Sequence, residues 1–191
     1  MGLDIFVNTD NDKEISVIAY HENYNDFANR HNLSRTFCNF MCRQHVTHGE
    51  PELDQIGKIT GIDISPIYGM EKYGDHESIE FQLSYAESDE EREQINKQIQ
   101  ADRNSLKNNI DLVLNTVGSL IQKLSVIDDL DEKLDDGGHD TLEYAVYFAD
   151  FNSDSNEGYT RNNFGQDLRN FKRCLDLAKS KGATTVWFNY G

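Results

Sequence analysis

The 191-residue sequence predicts a single-domain α+β protein with a mixed sheet of about five strands. β-branched and aromatic runs flank turn residues near the N-terminus, apolar residues recur at helical spacing in the middle, and a strand–helix–strand pattern closes the chain. We therefore expect residues 1–191 to form one domain with an N-terminal hairpin, a C-terminal β-α-β unit and one long central helix.

The N-terminal part of the chain predicts three strands and one helix. Residues 3–8, LDIFVN, and 15–20, ISVIAY, are separated by turn-forming residues and predict the hairpin. Residues 24–46 space their apolar side chains as a helix with one core face, and residues 49–74 predict mostly loops, with at most a short helical turn after Pro51. Residues 78–85, SIEFQLSY, alternate apolar and polar side chains, which predicts a third strand with one buried face.

A single long helix is predicted over residues 88–124. Ser88 and Glu91 have the spacing of a capping box, and apolar residues from Ile99 onward recur at intervals close to a heptad. Such a helix would be roughly 55 Å long, so we expect its polar first turns to project or the helix to break, most readily at Gly118. Its apolar stripe suits either burial against the chain's own sheet in a monomer or the seam of a homodimer.

The C-terminal part of the chain predicts the β-α-β unit. Residues 142–151, LEYAVYFADF, predict a strand, and residues 161–181 predict a helix with one apolar face. Residues 184–190, TTVWFNY, predict the last strand. Together with the hairpin, this unit makes the expected sheet mixed, with helices packed on it.

Charge is the most unusual property of the chain: 18 Lys and Arg oppose 34 Asp and Glu, a formal net charge of −16. From residue 160 onward six basic residues oppose two acidic ones, so the acidic surface is expected upstream. This charge disfavours direct binding to nucleic acid or to an anionic membrane, and no segment predicts a signal peptide or a membrane span. Three cysteines are too few for a disulfide framework and indicate the cytoplasm.

Two acidic segments, residues 88–93 and 128–140, predict a contact surface for a basic protein, including one that itself binds nucleic acid. A dense patch of carboxylates attracts cationic partners, although an acidic run also occurs as a simple solvated loop. The residues predicted to bind the partner are Asp128, Asp129, Asp131, Glu132, Asp135, Asp136, Glu90 and Glu91.

A cysteine and histidine cluster is the first candidate metal site. Cys38, Cys42 and His45 fall at i, i+4 and i+7, so three ligands would share one face of a helix. The alternative is that the cysteines belong to the core, which their neighbours Phe37 and Met41 favour.

An oxygen-rich segment is the second candidate, for Ca²⁺ or another divalent cation. Asp150, Asn152 and Asp154 alternate like the first ligands of a calcium loop, but Ser155 and Arg161 replace the glycine and glutamate that the EF-hand requires. The alternative is a polar loop that caps the following helix. No other cofactor is predicted, because the sequence lacks the nucleotide-binding, serine-hydrolase and zinc-protease patterns.

Residues 1–6, MGLDIF, resemble the MGLDIY-type start of short uncharacterised proteins of bacteriophage and bacterial genomes. The resemblance implies an origin in a phage or mobile element. It brings no known activity, so no functional residue is carried over from it.

The sequence therefore predicts an acidic, non-enzymatic interaction protein that occupies a basic surface of a partner protein. In composition it is similar to phage anti-defence inhibitors, DNA mimics and immunity proteins. One alternative is a metal-dependent enzyme that uses Asp150 and Asp154 or the Cys38, Cys42 and His45 cluster. A further alternative is a small-ligand-binding protein with a pocket in the tyrosine-rich residues 62–74.

Overall fold

The computed structural model describes residues 4–21, 24–45, 49–74, 76–135, 144–154 and 162–191. This part of the chain is mostly helical and contains one two-stranded sheet. In chain order its elements are β1 (Ile5–Thr9), α1 (Asp12–His21), α2 (Tyr24–His31), α3 (Arg35–Cys42), a 3-10 turn (Arg43–His45), α4 (Glu52–Thr60), α5 (Ser65–Gly69), a 3-10 turn (Met70–Lys72), α6 (His76–Ser84), α7 (Asp89–Ser105), α8 (Ile110–Leu124), α9 (Leu130–Lys133), α10 (Tyr144–Tyr147), α11 (Phe164–Ser180) and β2 (Val186–Tyr190). The predicted α+β fold with a five-stranded mixed sheet is therefore wrong.

The sheet joins the two ends of the chain. β1 pairs with β2 in antiparallel register, with Ile5 opposite Tyr190 and Thr9 opposite Val186. Ile5, Val186 and Phe188 are buried in the core, and β1 contacts both α3 and α11. The predicted N-terminal hairpin is wrong because the partner of β1 comes from the other end of the sequence.

Residues 15–20, predicted as the second strand, belong to α1. The Asp12 carboxylate accepts hydrogen bonds from the backbone N–H of Thr9 at 2.7 Å and from its hydroxyl at 3.0 Å. This contact turns the chain sharply after β1, and the helix begins there. Ile15 packs against the core while Val17 is exposed, so the β-branched run has one helical face inside.

Residues 78–84 of the predicted third strand lie in α6, and Tyr85 follows the end of the helix. Their alternation with period two also places apolar residues four apart, which is a helical spacing. Ile79 and Leu83 are half-buried on one side, while Phe81 and Tyr85 are exposed and contact each other with ring centroids 4.8 Å apart.

The segment 142–151, predicted as the fourth strand, contains α10, and residues 142 and 143 lie outside the described chain. Three of its aromatic residues are buried without joining a sheet: Tyr147, Phe148 and Phe151 all contact Phe164 of α11. The predicted C-terminal β-α-β unit is therefore wrong, although α11 and β2 agree with the predicted last helix and strand.

The predicted helix over residues 88–124 breaks into α7 and α8. The break lies at Asn108, whose φ of 60° leaves the right-handed helical region, and Gly118 remains inside α8. Asn109 fixes the new start, because its side-chain amide bonds both the N–H and the carbonyl of Val186 at 2.8 Å. The predicted helix over residues 24–46 is likewise divided, since Ser34 is extended and caps α3.

One core cluster lies between α8, α11, α3 and the sheet. The stripe of α8 that the sequence left open to a homodimer seam is buried within the chain, and it comprises Ile110, Val113, Val117, Leu120 and Leu124. By contrast, α7 has no buried residue and α6 contacts it, so we call residues 76–105 the α6–α7 arm. Among the described residues, no helix combines the length and apolar character needed to cross a membrane.

Candidate functional site: an acidic cleft

Two segments that are separate in sequence line one open cavity of about 390 Å³. Residues 127–131 supply one wall and residues 148–153 supply the other. The cavity brings together the acidic run and part of the oxygen-rich segment, which the sequence analysis treated as unrelated sites. We define the acidic cleft by the carboxylate and amide side chains of this lining, which are Asp128, Asp129, Asp131, Asp150 and Asn152.

The first wall of the acidic cleft is anchored by leucines. Leu130 and Leu134 are buried in the core, so the carboxylates between and before them are held near the surface. The ammonium group of Lys133 donates to the backbone carbonyls of Asp128 and Asp129. Lys133 therefore stabilises the turn that carries these two carboxylates.

The second wall is fixed against the first turn of α11. Phe148 and Phe151 are buried, and the carbonyl oxygen of Phe151 lies so close to Gly165 that a Cβ there would be 1.8 Å away. Nη1 of Arg169 donates to the same carbonyl at 2.8 Å, and its guanidinium forms an ion pair with Asp154. The absence of a side chain at Gly165 thus permits the contact that positions this wall.

The electrostatics of the acidic cleft favour a cation. Asp128, Asp129 and Asp150 are exposed, Asp131 is half-buried, and none of the described residues that line the cavity is basic. Asp129 and Asp150 adopt left-handed backbone conformations with φ of 56° and 49°, which aspartate tolerates better than most residues. Four carboxylates without a basic residue in the described lining give the cleft a negative electrostatic potential.

The remaining residues predicted to bind a partner lie around or away from the cleft. Glu132 and Asp135 are exposed on the same segment, and Asp136 lies outside the described residues. Glu90 and Glu91 are exposed in the first turn of α7 and do not line the cleft. The predicted helix start at Ser88 is confirmed, because its hydroxyl accepts from the N–H of Glu91 at 3.1 Å.

The cysteine cluster is placed in the core. Cys38 is fully buried and Cys42 is half-buried, while the side chain of His45 lies outside the described part of the structure. Burial raises the pKa of Cys38 to about 12, and burial also raises the pKa of Cys42. The burial of Cys38 in the core beside Phe37 and Met41 favours the alternative that the cysteines are structural.

The candidate cation ligands Asp154 and Asn152 bond to other residues of the protein, and Asp150 faces the acidic cleft. The carboxylate of Asp154 pairs with Arg169, and Nδ2 of Asn152 donates to the carbonyl of Ser125 at 3.1 Å. Asp150 lines the acidic cleft. Within the described ranges, no three Asp, Glu, His or Cys side chains group as metal ligands.

A buried polar network, missed by the sequence analysis, joins α3, α10 and α11. Asp167 is fully buried and accepts hydrogen bonds from the N–H and hydroxyl of Ser34 at 2.9 and 2.6 Å, from Tyr147 at 3.0 Å and from Asn162 at 2.9 Å. Burial raises the pKa of Asp167 to about 6 against the opposing effect of these hydrogen bonds. One signal could have found it: Asp167 is an acidic residue between Phe164 and Phe171 on the apolar face of the predicted helix.

Comparison of the chain with protein-family models, with curated proteins and with solved structures finds no match. The resemblance of residues 1–6 to phage and bacterial proteins therefore stays a prediction, and residues 1–3 lie outside the described chain. A function has to be argued from the residues and their geometry.

Proposed function

We propose that this chain is an acidic, non-enzymatic interaction protein that occupies a basic surface of a partner protein. The acidic cleft carries this proposal, because four aspartates from two distant segments line one cavity without a basic residue among its described lining. A lysine or arginine that enters such a cavity exchanges hydration for charge-assisted hydrogen bonds. The negative field around the cleft also accelerates the first encounter with a cationic surface.

The contacts that hold the two walls of the acidic cleft favour a binding surface that is formed before a partner arrives. One wall is anchored by Leu130 and Leu134, and the other is held by Arg169 and by its close approach to Gly165. Gln55 also holds the chain at Asp135, bonding its N–H at 2.8 Å and its carbonyl at 2.7 Å. Carboxylates fixed before binding lose less conformational entropy when a partner arrives.

The chemistry of the cleft defines the class of partner. A protein with an exposed cluster of lysine and arginine fits, and nucleic-acid-binding proteins carry such clusters. With a net charge of −16 the chain would compete for such a surface as a DNA mimic, an anti-defence inhibitor or an immunity protein does. We place this activity in the cytoplasm of a bacterial or phage-infected cell, and the three free cysteines support a reducing compartment.

Cross-linking capture from bacterial extract tests the proposal with two variants of equal charge. Amides replace carboxylates in both, because asparagine keeps the left-handed conformation that Asp129 and Asp150 require. The cleft variant combines Asp128→Asn, Asp129→Asn, Asp131→Asn and Asp150→Asn. The control variant changes four exposed acids elsewhere and combines Glu14→Gln, Glu87→Gln, Glu93→Gln and Asp176→Asn.

The expected result is one basic protein that is enriched by the wild type and by the control variant. Its recovery with the cleft variant should fall about tenfold, because four interfacial charges are lost. Equal recovery with the cleft variant would show that the cleft is not the binding surface. Recovery of no basic protein by the wild type would contradict the proposed function itself.

A further inference from the structure

A second cavity has an electrostatic character opposite to that of the acidic cleft. It has a volume of about 470 Å³ and is lined by Tyr73, Arg103, Lys107 and Trp187 together with the segments around Asp10 and Thr184. Its lining comes from the last turn of α7 and the residues after it, from the residue that follows the second 3-10 turn, and from β2 with the residues before it. We propose that this aromatic–cation cavity binds a mononucleotide, with the base against the open surface of Trp187 and the phosphate at Arg103 and Lys107.

The aromatic wall of this cavity is a layered stack. The rings of Tyr73 and Trp187 are 4.0 Å apart between centroids and 16° from parallel. The guanidinium carbon of Arg103 lies 4.7 Å from the centroid of Tyr73. Trp187 is only half-buried, so the stack has aromatic surface left for a planar ligand. Flat aromatic side chains of this kind are the usual platforms for nucleobases.

The two cations lack carboxylate partners among the described residues. Nη2 of Arg103 donates to the carbonyl of Gly74 at 3.1 Å, whereas its Nε is inaccessible to solvent and makes no hydrogen bond. Lys107 is exposed at the end of the cavity wall. In a chain with a net charge of −16, two neighbouring cations without ion pairs mark a position that suits an anionic ligand.

The acidic residue in the lining, Asp10, is hydrogen-bonded to Thr184. Oδ1 of Asp10 accepts from the N–H of Thr184 at 2.9 Å, and Oδ2 accepts from its hydroxyl at 2.7 Å. Both carboxylate oxygens of Asp10 are therefore engaged in fixing the chain before β2. Asp10 keeps its negative charge, but Arg103 and Lys107 outnumber it two to one in the lining.

The backbone next to Lys107 is fixed relative to the strand that carries Trp187. The N–H of Asn108 donates to the hydroxyl of Thr185 at 3.2 Å, and the side chain of Asn109 bonds both backbone groups of Val186. These contacts tie the loop that carries Lys107 to the strand that carries Trp187. A rigid spacing between a stacking surface and a charge selects ligands that contain both a ring and an anion.

A mononucleotide fits this cavity better than a nucleic acid strand does. The volume lies within the usual range of small-molecule pockets. A strand would bring further phosphates against a chain of net charge −16, whereas a single nucleotide places its phosphate only at the cation pair. The inference is independent of the proposed partner binding, since no residue lines both cavities.

Fluorescence titration tests the inference, because Trp187 is the only tryptophan of the chain. We expect AMP to quench its emission saturably, and adenosine and inorganic phosphate each to bind at least about tenfold more weakly, because each lacks half of the recognised ligand. Lys107→Ala should weaken AMP binding about tenfold. Lys123→Ala, which removes an exposed lysine of α8, should leave it unchanged.

Each arm of the titration can overturn the inference. Absence of saturable quenching up to about 5 mM AMP would exclude a site of useful affinity. Adenosine binding as tightly as AMP would exclude phosphate recognition, and inorganic phosphate binding as tightly would reduce the cavity to a simple anion site. Equal affinities of the Lys107→Ala and Lys123→Ala variants would show that the cation pair does not hold the ligand.

Discussion

At the residue scale, Gly165 illustrates how one missing side chain positions the acidic cleft. The backbone carbonyl of Phe151 occupies the space that a Cβ would need, and Arg169 donates to the same carbonyl at 2.8 Å. Any larger residue must displace the backbone of the 148–153 segment, which is a wall of the cleft. Gly118, in the middle of α8, is different, since the nearest heavy atom to its Cβ position is Cε of Lys172 at 3.9 Å.

These two glycines make a matched pair for mutation. Gly165→Ala should lower the free energy of unfolding by about 2–4 kcal/mol, because the methyl group overlaps a backbone carbonyl. Gly118→Ala should change it by between zero and about 1 kcal/mol in the stabilising direction, because alanine favours a helix interior. Urea denaturation of both variants measures the difference, and equal stabilities would contradict the described contact.

Asp167 should give the protein a distinctive pH dependence. Its pKa of about 6 in the folded state lies above the ordinary value of 3.8, and burial is the cause. The folded state therefore binds this proton more tightly than the unfolded state does. It follows that the contribution of Asp167 to stability falls as the pH rises from about 4 to about 6, and that the penalty is complete above this range.

Comparison with Asp167→Asn isolates this contribution. As the pH is lowered from 6 to 5, the wild type should gain roughly 1 kcal/mol of unfolding free energy relative to the variant, since only the wild type takes up the buried proton. Urea denaturation at each pH measures the difference, with Glu14→Gln as an exposed control that should show no such trend. A constant difference, or a gain for the variant, would be inconsistent with a raised pKa at Asp167.

At the scale of secondary structure elements, patterns with helical period predicted where helices occur but not where they break, since the predicted helices over 24–46 and 88–124 are each divided. The last helix was predicted over residues 161–181 and spans Phe164–Ser180, and the buried stripe of α8 follows the predicted apolar spacing. Patterns of period two were misleading, because an alternating run also places residues four apart, as Ile79 and Leu83 are in α6. Pairing of β1 with β2 could not be predicted, since no local signal joins the two ends of a chain.

The N-caps of α7 and α11 test how strongly each helix is coupled to the unfolding of the core. The hydroxyl of Ser88 caps α7, which has no buried residue, whereas Asn163 caps α11 in the core. Ser88→Ala should speed hydrogen exchange within α7 and change the global unfolding free energy by less than about 0.3 kcal/mol. Asn163→Ala should lower the global free energy of unfolding by about 1–2 kcal/mol. A comparable global loss in both variants would show that the α6–α7 arm unfolds with the core.

At the scale of the whole molecule, acidic residues line one cavity, the acidic cleft, and two basic residues line the other, the aromatic–cation cavity. The acidic run and Asp150 were both predicted from sequence as site residues, but their convergence depends on how the 148–153 segment packs against α11. The aromatic–cation cavity draws Tyr73, Arg103 and Trp187 from three distant segments, so no local motif could have indicated it beyond the predicted pocket in residues 62–74. The density of acidic residues could be read from the sequence. Which residues line each cavity could be known only from the fold.

The association rate between this protein and the basic partner recovered by cross-linking tests the central claim most directly. Measured at low and high salt, the wild type and the control variant should associate with the same rate constant and the same decrease as salt rises. The cleft variant should associate about tenfold more slowly at low salt and with a shallower salt dependence, because four steering charges are lost. An unchanged rate constant and salt dependence in the cleft variant would contradict a function based on the acidic cleft.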